Sequence, residues 1–399
     1  MKKAYDVCIR GAGIVGRCLA LQLAAKRLRV ALLVQPMPVD AAHSDVRAYA
    51  LSPASRTLLQ AVRCWPGPLH ATPVRRMEVR SAADTAVVFD AAQQGQPGVE
   101  ALNWIVDVPE LERLLTEALR FQPLVELVDA PTAAALTVIC EGRASQSRTE
   151  FGIEFDTTPY PQRALAARVQ CALPHGQTAR QWFEASDILA LLPLGGSEGR
   201  ECALVWSVSP ERASSLLALE PPAFCQALEA ASHSTLGSLL LCSERKVWPL
   251  QAAVARRWVG TSATHGTLPG ATHSPVNSTN STNSAAWALA GDAAHNVHPL
   301  AGQGLNLGLG DVAKLVAVLD ARQPWRSVGD RQLLRSYERS RKAEYALVGG
   351  SGDLLQQMFQ HQHPAWQGLR NLGMRSFERS GPLKQWIARR AMGQPPVTP

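Results

Sequence analysis

Near the amino terminus the chain reads Tyr5-Asp6-Val7-Cys8-Ile9-Arg10-Gly11-Ala12-Gly13-Ile14-Val15-Gly16. Val7 to Ile9 is a short apolar run with the character of a buried strand. The pattern G-x-G-x-x-G follows, then a helical stretch from Ile14 to about Arg27, then a second apolar run from Val30 to Val34. Strand, glycine turn, helix and strand in this order form the context of a dinucleotide fingerprint. Gly11 permits the tight turn, Gly13 lets the backbone approach a pyrophosphate, and Gly16 lets the helix pack close to the strand. The helix N-terminus offers free N–H groups to phosphates. The alternative is a glycine-rich turn without a ligand.

The fingerprint lacks one part. An acid is expected at the end of the second strand for the ribose hydroxyls, and Gln35 stands there instead. Its amide can hydrogen-bond a hydroxyl, without charge assistance. Arg10 adds positive charge near the phosphates or is solvated. Downstream, Asp45-Val46-Arg47-Ala48-Tyr49-Ala50-Leu51-Ser52 leads into a helix over Pro53 to Val62, with Ser52 as N-cap. Arg47 is a candidate pyrophosphate contact through its planar fork, or one half of a surface salt bridge.

Val108 to Leu119 has the spacing of an amphipathic helix, and Val125–Val128 and Leu136–Cys140 read as strands with a short link. Cys140-Glu141-Gly142-Arg143-Ala144-Ser145-Gln146-Ser147-Arg148 reads as a strand end and a polar turn. Residues 163–255 alternate strand-like runs with turns, with a helix over Pro221–Ala231. Residues 261–284 are rich in Gly, Ser, Thr, Asn and His and read as a flexible loop.

The most specific stretch is Gly291-Asp292-Ala293-Ala294-His295-Asn296-Val297-His298-Pro299-Leu300-Ala301-Gly302-Gln303-Gly304-Leu305-Asn306-Leu307-Gly308-Leu309-Gly310-Asp311. A strand ends at Gly291-Asp292, a glycine-rich loop follows, and a long helix starts near Leu305. A helix N-terminus again faces a ligand, with Asp292 as acceptor on the preceding strand. His295 and His298 form H-x-x-H, but no third ligand of suitable spacing accompanies them, so no metal is expected. Helices are expected over Arg331–Gly349, Leu354–Gln360, Trp366–Met374 and Pro382–Met392.

The composition is consistent with this. The chain has 399 residues, 46% hydrophobic and 18% charged, which excludes a disordered chain. The net charge of +7 suits an anionic cofactor or membrane surface, and no basic stripe with interleaved aromatics points to nucleic acid. The eight cysteines lack metal spacing and read as buried thiols in a reducing cytoplasm. Neither a signal peptide nor a membrane-spanning run is expected.

The glycine turn at 11–16, D-V-R-A-Y-A-L-S at 45–52, C-E-G-R-A-S-Q-S-R at 140–148 and the 291–311 stretch occur in family order. Together they resemble the single-component flavin hydroxylases of the para-hydroxybenzoate hydroxylase superfamily, in the branch of ubiquinone-biosynthesis aromatic hydroxylases. Gln177–Phe183, Leu191–Leu194, Val205–Ser207, Trp248–Leu250 and Leu369–Gly373 extend the match over nearly the whole chain. A plain NAD-dependent dehydrogenase leaves 291–311 unexplained.

The resemblance implies a mixed α/β fold. A Rossmann-like FAD-binding domain (1–160 and 286–330) interleaves with an antiparallel-sheet substrate portion (66–103 and 161–260). A 261–285 loop and C-terminal helices over 331–399 complete it. It implies FAD held by Gly11, Gly13, Gly16, Gln35, Arg47, Glu141, Gly142, Asp292, Gln303, Gly304, Leu305 and Asn306. His298, Pro299 and Gly302 would surround the flavin ring. The implied reaction uses NAD(P)H to reduce FAD and O2 to form a C4a-hydroperoxide, which hydroxylates a polyprenylated phenol. The implied setting is cytoplasmic and peripheral on the inner face of the plasma membrane, beside other ubiquinone-biosynthesis proteins. Lys384–Met392 would form the interfacial helix, or pack on the domain. The alternatives are a hydroxylase of another aromatic and a catalytically weak lipid-binding or scaffolding partner.

Three departures from the family pattern stand out: Gln35, Glu141 in place of Asp before Gly142, and a link of only 129–135 where the family carries an antiparallel meander. The short link is expected to alter packing in the FAD domain.

Overall fold

The computed structural model describes residues 5–34, 45–81, 86–94, 100–184, 187–196, 198–263, 284–297 and 303–360. Among these, eighteen strands and eight α-helices follow one another in three sheets. The expected mixed α/β architecture is present.

The first sheet holds β1 (Tyr5–Arg10), β2 (Val30–Leu33), β8 (Val125–Val128), β9 (Ala134–Ile139), β16 (Val259–Ala263) and β17 (Ser284–Leu289). Its order is β16-β17-β9-β1-β2-β8, parallel except for the β16–β17 hairpin. Val7, Ile9, Val30, Leu32, Leu136 and Val138 are fully buried under α1 (Ile14–Ala25), α3 (Val108–Arg120) and α7 (Gln303–Asp320). Their near-continuous apolar strands are what a parallel sheet covered on both faces requires.

β8 lies at the sheet edge and β9 on the far side of β1, three strand spacings or roughly 14 Å away. Residues 129–133 make that crossing as bare chain, with no helix or meander. The Thr132 backbone reaches the Cys8 sulfur on β1. Cys8, Ala31 and Thr137 are small and almost fully buried, which suits a connector lying close to the sheet. At the other end of the strands the glycine turn keeps its packing.

The second sheet runs β18 (His295–Asn296), β15 (Lys246–Ala255), β10 (Phe155–Cys171), β13 (Glu201–Val208), β12 (Asp187–Pro193), β11 (Thr178–Glu184), β5 (Arg76–Ser81) and β6 (Ala86–Asp90), with β14 (Leu239–Leu241) also on β10. It is antiparallel except for the parallel β11–β5 pair. One face is apolar under α5 (Pro210–Ala218) and α6 (Pro221–Ala231), around Trp206, Leu204 and Phe224. The opposite face packs Ala179, Leu192 and Ala203 against Ala48 and Ala50. Those alanines belong to the third sheet, β3 (Ala48–Leu51), β7 (Asn103–Asp107) and β4 (Ala71–Val74), which links the two larger ones.

Some local expectations need correction. The turn after Cys140 contains a short helix, α4 (Gln146–Glu150), capped by Ser145. β16 and β17 extend into the expected 261–285 loop, and 264–283 lie outside the described residues. The two helices expected after Arg331 are one, α8 (Arg331–Gln360), despite its glycines. The helix at 53–62 is α2 (Pro53–Ala61), with its Ser52 cap in place. Trp366–Met374 and Lys384–Met392 lie outside the described residues.

Candidate functional site

The site is assembled at the carboxyl ends of β1 and β9, where α1 and α7 begin. Gly11 has φ +108°, and an added Cβ would lie 2.6 Å from the Cys140 carbonyl. A Cβ on Gly16 would lie 1.9 Å from the Gly11 carbonyl oxygen. Both glycines are therefore required by backbone packing. Gly13 differs: its added Cβ meets nothing within 4 Å. Gly13 is the N-cap of α1 without a side-chain cap, and no acid occupies the first turn. The N–H groups there are available to an anion.

The second glycine-rich stretch meets the first at Val15. A Cβ on Gly308 would lie 2.9 Å from the Val15 side chain, and one on Gly291 3.2 Å from it. The start of α1, the Gly291 turn and the first turns of α7 are thus in contact. Gly304, like Gly13, has open space where a Cβ would be.

Asp292 follows Gly291, which has φ +65°. Its side chain reaches solvent, yet the surrounding protein strips much of its hydration. That burial, with the nearby Asp311 charge, pushes its carboxyl above the ordinary range against the opposing pull of His295, Arg143 and Arg148. The Asp292 carbonyl accepts from Arg148 Nη1 at 3.3 Å and Asn296 Nδ2 at 2.8 Å.

Several expected cofactor residues have their side chains committed elsewhere. Glu141 accepts from Ser145 Oγ at 2.7 Å, Ser147 Oγ at 2.7 Å and Ser147 N at 2.9 Å. Burial works to raise its carboxyl, but these bonds and Arg10 hold it below the ordinary range. The extra methylene relative to Asp thus reaches the start of α4. Gly142 has φ +77° and its carbonyl accepts from Arg148. Asn306 clamps α7 to the β3–α2 junction: its Nδ2 donates to Ala50 O at 2.8 Å, and its Oδ1 accepts from Ser52 N at 2.9 Å and Ser55 Oγ at 2.7 Å.

Arg47 is ion-paired with Asp45 at 2.6 Å and Glu112 at 3.5 Å. The Asp45 bond holds its guanidinium firmly protonated. Arg10 is almost buried, bonded to Ser147 Oγ and Glu150 and set against Phe151, so its charge is spent on α4. Leu305 packs on the core, and Gln303 opens α7. Gln35, His298, Pro299 and Gly302 lie outside the described residues.

His295 is a core histidine. Its Nε2 lies 2.7 Å from Asp311, and its ring clusters with Trp258 and Tyr345 at centroid distances of 4.8 and 5.4 Å. No metal-binding group of His, Cys, Asp and Glu occurs among the described residues.

Three residues without an assigned role from sequence prove central. Arg148 is buried, stacks on Phe155 at 3.7 Å and ties the carbonyls of Gly142, Arg143, Asp292 and Ala293 together. Asp311 is fully buried and accepts from Gly291 N at 2.8 Å, from His295 and from Arg341 Nε at 2.7 Å. Asn296 is buried with Nδ2 on the Asp292 carbonyl, while its Oδ1 has no protein partner. A signal for Arg148 and Asp311 existed, since both close stretches already singled out.

The residues present fit FAD. Gly13 and Gly304 leave room for close approach, α1 presents uncapped N–H groups, Asp292 offers an acceptor, and Asn296 holds a buried unpaired acceptor atom.

Comparison with known proteins agrees with this arrangement. A family profile described as FAD binding domain matches residues 275–348. The chain is 32% identical over 417 residues to the 3-demethoxyubiquinol 3-hydroxylase of Escherichia coli K12, covering 97% of this chain and 98% of that protein. It is 30% identical to ubiquinone hydroxylase UbiL of Rhodospirillum rubrum, covering 98% and 90%. Among solved structures, p-nitrophenol 4-monooxygenase PnpA of Pseudomonas putida DLL-E4 is similar in fold, with TM-score 0.71, 17% identity and full coverage of both chains. PqsL of Pseudomonas aeruginosa is similar with TM-score 0.68, 20% identity, and 94% of this chain and all of that one covered.

Proposed function

The chain belongs to the FAD-dependent aromatic hydroxylases of ubiquinone biosynthesis, and from that premise we propose that it hydroxylates a polyprenylated phenol with NAD(P)H and O2. The observation that carries this reading is the pairing of two open glycines, Gly13 and Gly304, on helix starts that meet at Val15 beside Asp292. FAD held there supplies the redox chemistry, accepting electrons from NAD(P)H and activating O2.

The protein's own residues bind and shape the site. The N–H groups at the start of α1 hold the pyrophosphate. Asp292 would accept a hydrogen bond from the ribityl or phosphate end of FAD. Pro299, Gly302 and His298 would border the flavin ring, as the family resemblance implies. Arg148 and Glu141 hold the turns in place.

The inward row Ala166–Val205–Ala190–Gln181, aligned by register across β10, β13, β12 and β11, faces the same side as the alanines of β3. The aromatic ring of the substrate is proposed to lie against this row of three apolar side chains and one amide. A water-poor chamber limits unproductive loss of the activated oxygen.

A prenylated substrate is collected from a bilayer. No helix among the described residues is long and apolar enough to cross a membrane. Peripheral contact is assigned to Lys384–Met392, whose Trp386 and Ile387 stand beside Lys384, Arg389 and Arg390. On this reading the enzyme works at the cytoplasmic face of the plasma membrane, near other proteins of the pathway.

The test is NAD(P)H oxidation by FAD-loaded protein with short-chain prenylphenols. Substrate-stimulated oxidation with a product heavier by one oxygen atom supports the reading. Protein that cannot be loaded with FAD sinks it. Liposome sedimentation with residues 380–399 removed tests the membrane contact, and unchanged binding rejects it.

A further inference from the structure

We infer that Arg341, on α8, is a positioning residue for the cofactor-binding carboxylate of Asp292, acting on it through Asp311. This rests on the FAD reading above.

Asp311 is buried to 0% exposure and Arg341 to 2%. Arg341 Nε donates to Asp311 Oδ1 at 2.7 Å and Nη2 to the Leu307 carbonyl at 3.0 Å. Its Nη1 is ion-paired with Glu344. The planar fork therefore holds an acid of α7 and a carbonyl one turn earlier in a single geometry. Gly310 makes the approach possible, since a Cβ there would sit 2.9 Å from the Arg341 guanidinium.

Fixed in this way, the other Asp311 oxygen accepts from Gly291 N at 2.8 Å and lies 2.7 Å from His295 Nε2. The Gly291 bond pins the left-handed turn whose next residue is Asp292. Tyr337, also on α8, donates to the Leu289 carbonyl at 2.7 Å, two residues before that turn. Two side chains of α8 thus hold the strand end that presents Asp292.

A buried carboxylate without its cation is costly and is relieved by rearrangement. With Arg341 removed, Asp311 loses the partner that orients it, and the Gly291 turn is free to shift. Asp292 then no longer meets the cofactor at hydrogen-bonding distance.

The experiment is a double-mutant cycle on FAD affinity, measured by flavin fluorescence with cofactor-free protein. Arg341→Met is expected to weaken FAD binding about tenfold. In an Asp292→Ala background the same change is expected to have less than about a twofold further effect, because the carboxylate it positions is gone. Arg341→Lys keeps the charge but not the Leu307 contact, and is expected to recover part of the affinity. Equal losses in both backgrounds, or an Arg341→Met protein with wild-type affinity, overturn the inference. If Arg341→Met does not fold, Glu344→Gln carries the same cycle, because it loosens the exposed end of the fork and leaves the buried charge pair. Wild-type protein that binds no FAD would reject the FAD reading, which is a separate result.

Discussion

The two glycine-rich stretches present similar helix starts but are held by different forces. In the first, from Gly11 to Gly16, the constraint is local and steric: backbone meets backbone, and only hydrogen fits at Gly11 and Gly16. In the second, from Gly291 to Asp311, the turn is held by a buried ionic centre. Asp311 joins the Gly291 amide, His295 and Arg341 from three separate elements. A steric constraint is written in the spacing of residues near it. An ionic centre depends on a partner that can come from anywhere in the chain.

Breaking the second region is expected to cost most. Asp311→Ala leaves Arg341 and the Gly291 amide buried without their partner, a loss of about 3–5 kcal/mol. Urea unfolding measures it, and a loss under about 1 kcal/mol would mean the centre is relaxed by water. In the first region, Gly16→Ala drives a methyl into the Gly11 carbonyl and is expected to cost about 1–3 kcal/mol. Gly13→Ala sharpens the contrast, because its Cβ enters open space. Stability should change by less than about 1 kcal/mol while FAD affinity falls, read by thermal melting and flavin titration. Unchanged FAD affinity would show that the cofactor does not approach there.

How much was readable follows the same division. Gly11, Gly13 and Gly16 stood out because turn and strand lie within twelve residues, and the strands around them matched the apolar runs. Ser52 and Pro53 marked the start of α2 for the same reason. For Asn306 and Glu141 the sequence points to the cofactor but does not show what else they hold: the Asn306 amide reaches Ser55 across the fold, and the Glu141 carboxylate turns back onto Ser147 in the local turn. Arg341 carried no local signal, since a helical arginine reads as solvated until the fold brings Asp311 to it. The glycines at 349, 350 and 352 read as a break, yet α8 runs through them unbroken from Arg331 to Gln360, although glycine is a weak helix former.

The smallest expected effect discriminates the two acids of the second region. Asp292 and Asp311 are close enough to repel, but their environments move them in opposite directions. For Asp311, burial is overcome by His295 and Arg341, so its carboxyl titrates below the ordinary value of 3.8. Its contribution to stability is present above that value and is lost as pH falls through the lowered one. For Asp292, burial and the Asp311 charge dominate, so it titrates above 3.8. The folded chain then binds the proton more tightly than the unfolded chain. Stability is fully present below 3.8 and declines as pH rises through the raised value. Asp292→Asn removes this cost. Cofactor-free Asp292→Asn should therefore melt slightly above wild type at pH 7, with the difference vanishing under acid conditions, while it binds FAD more weakly because a charge-assisted bond is lost. Thermal melts of both proteins across pH 3 to 8 test it. A variant that melts below wild type at neutral pH would mean that Asp292 serves the fold, and the cofactor role would have to move to another acceptor, with the unpaired Asn296 oxygen the first to examine.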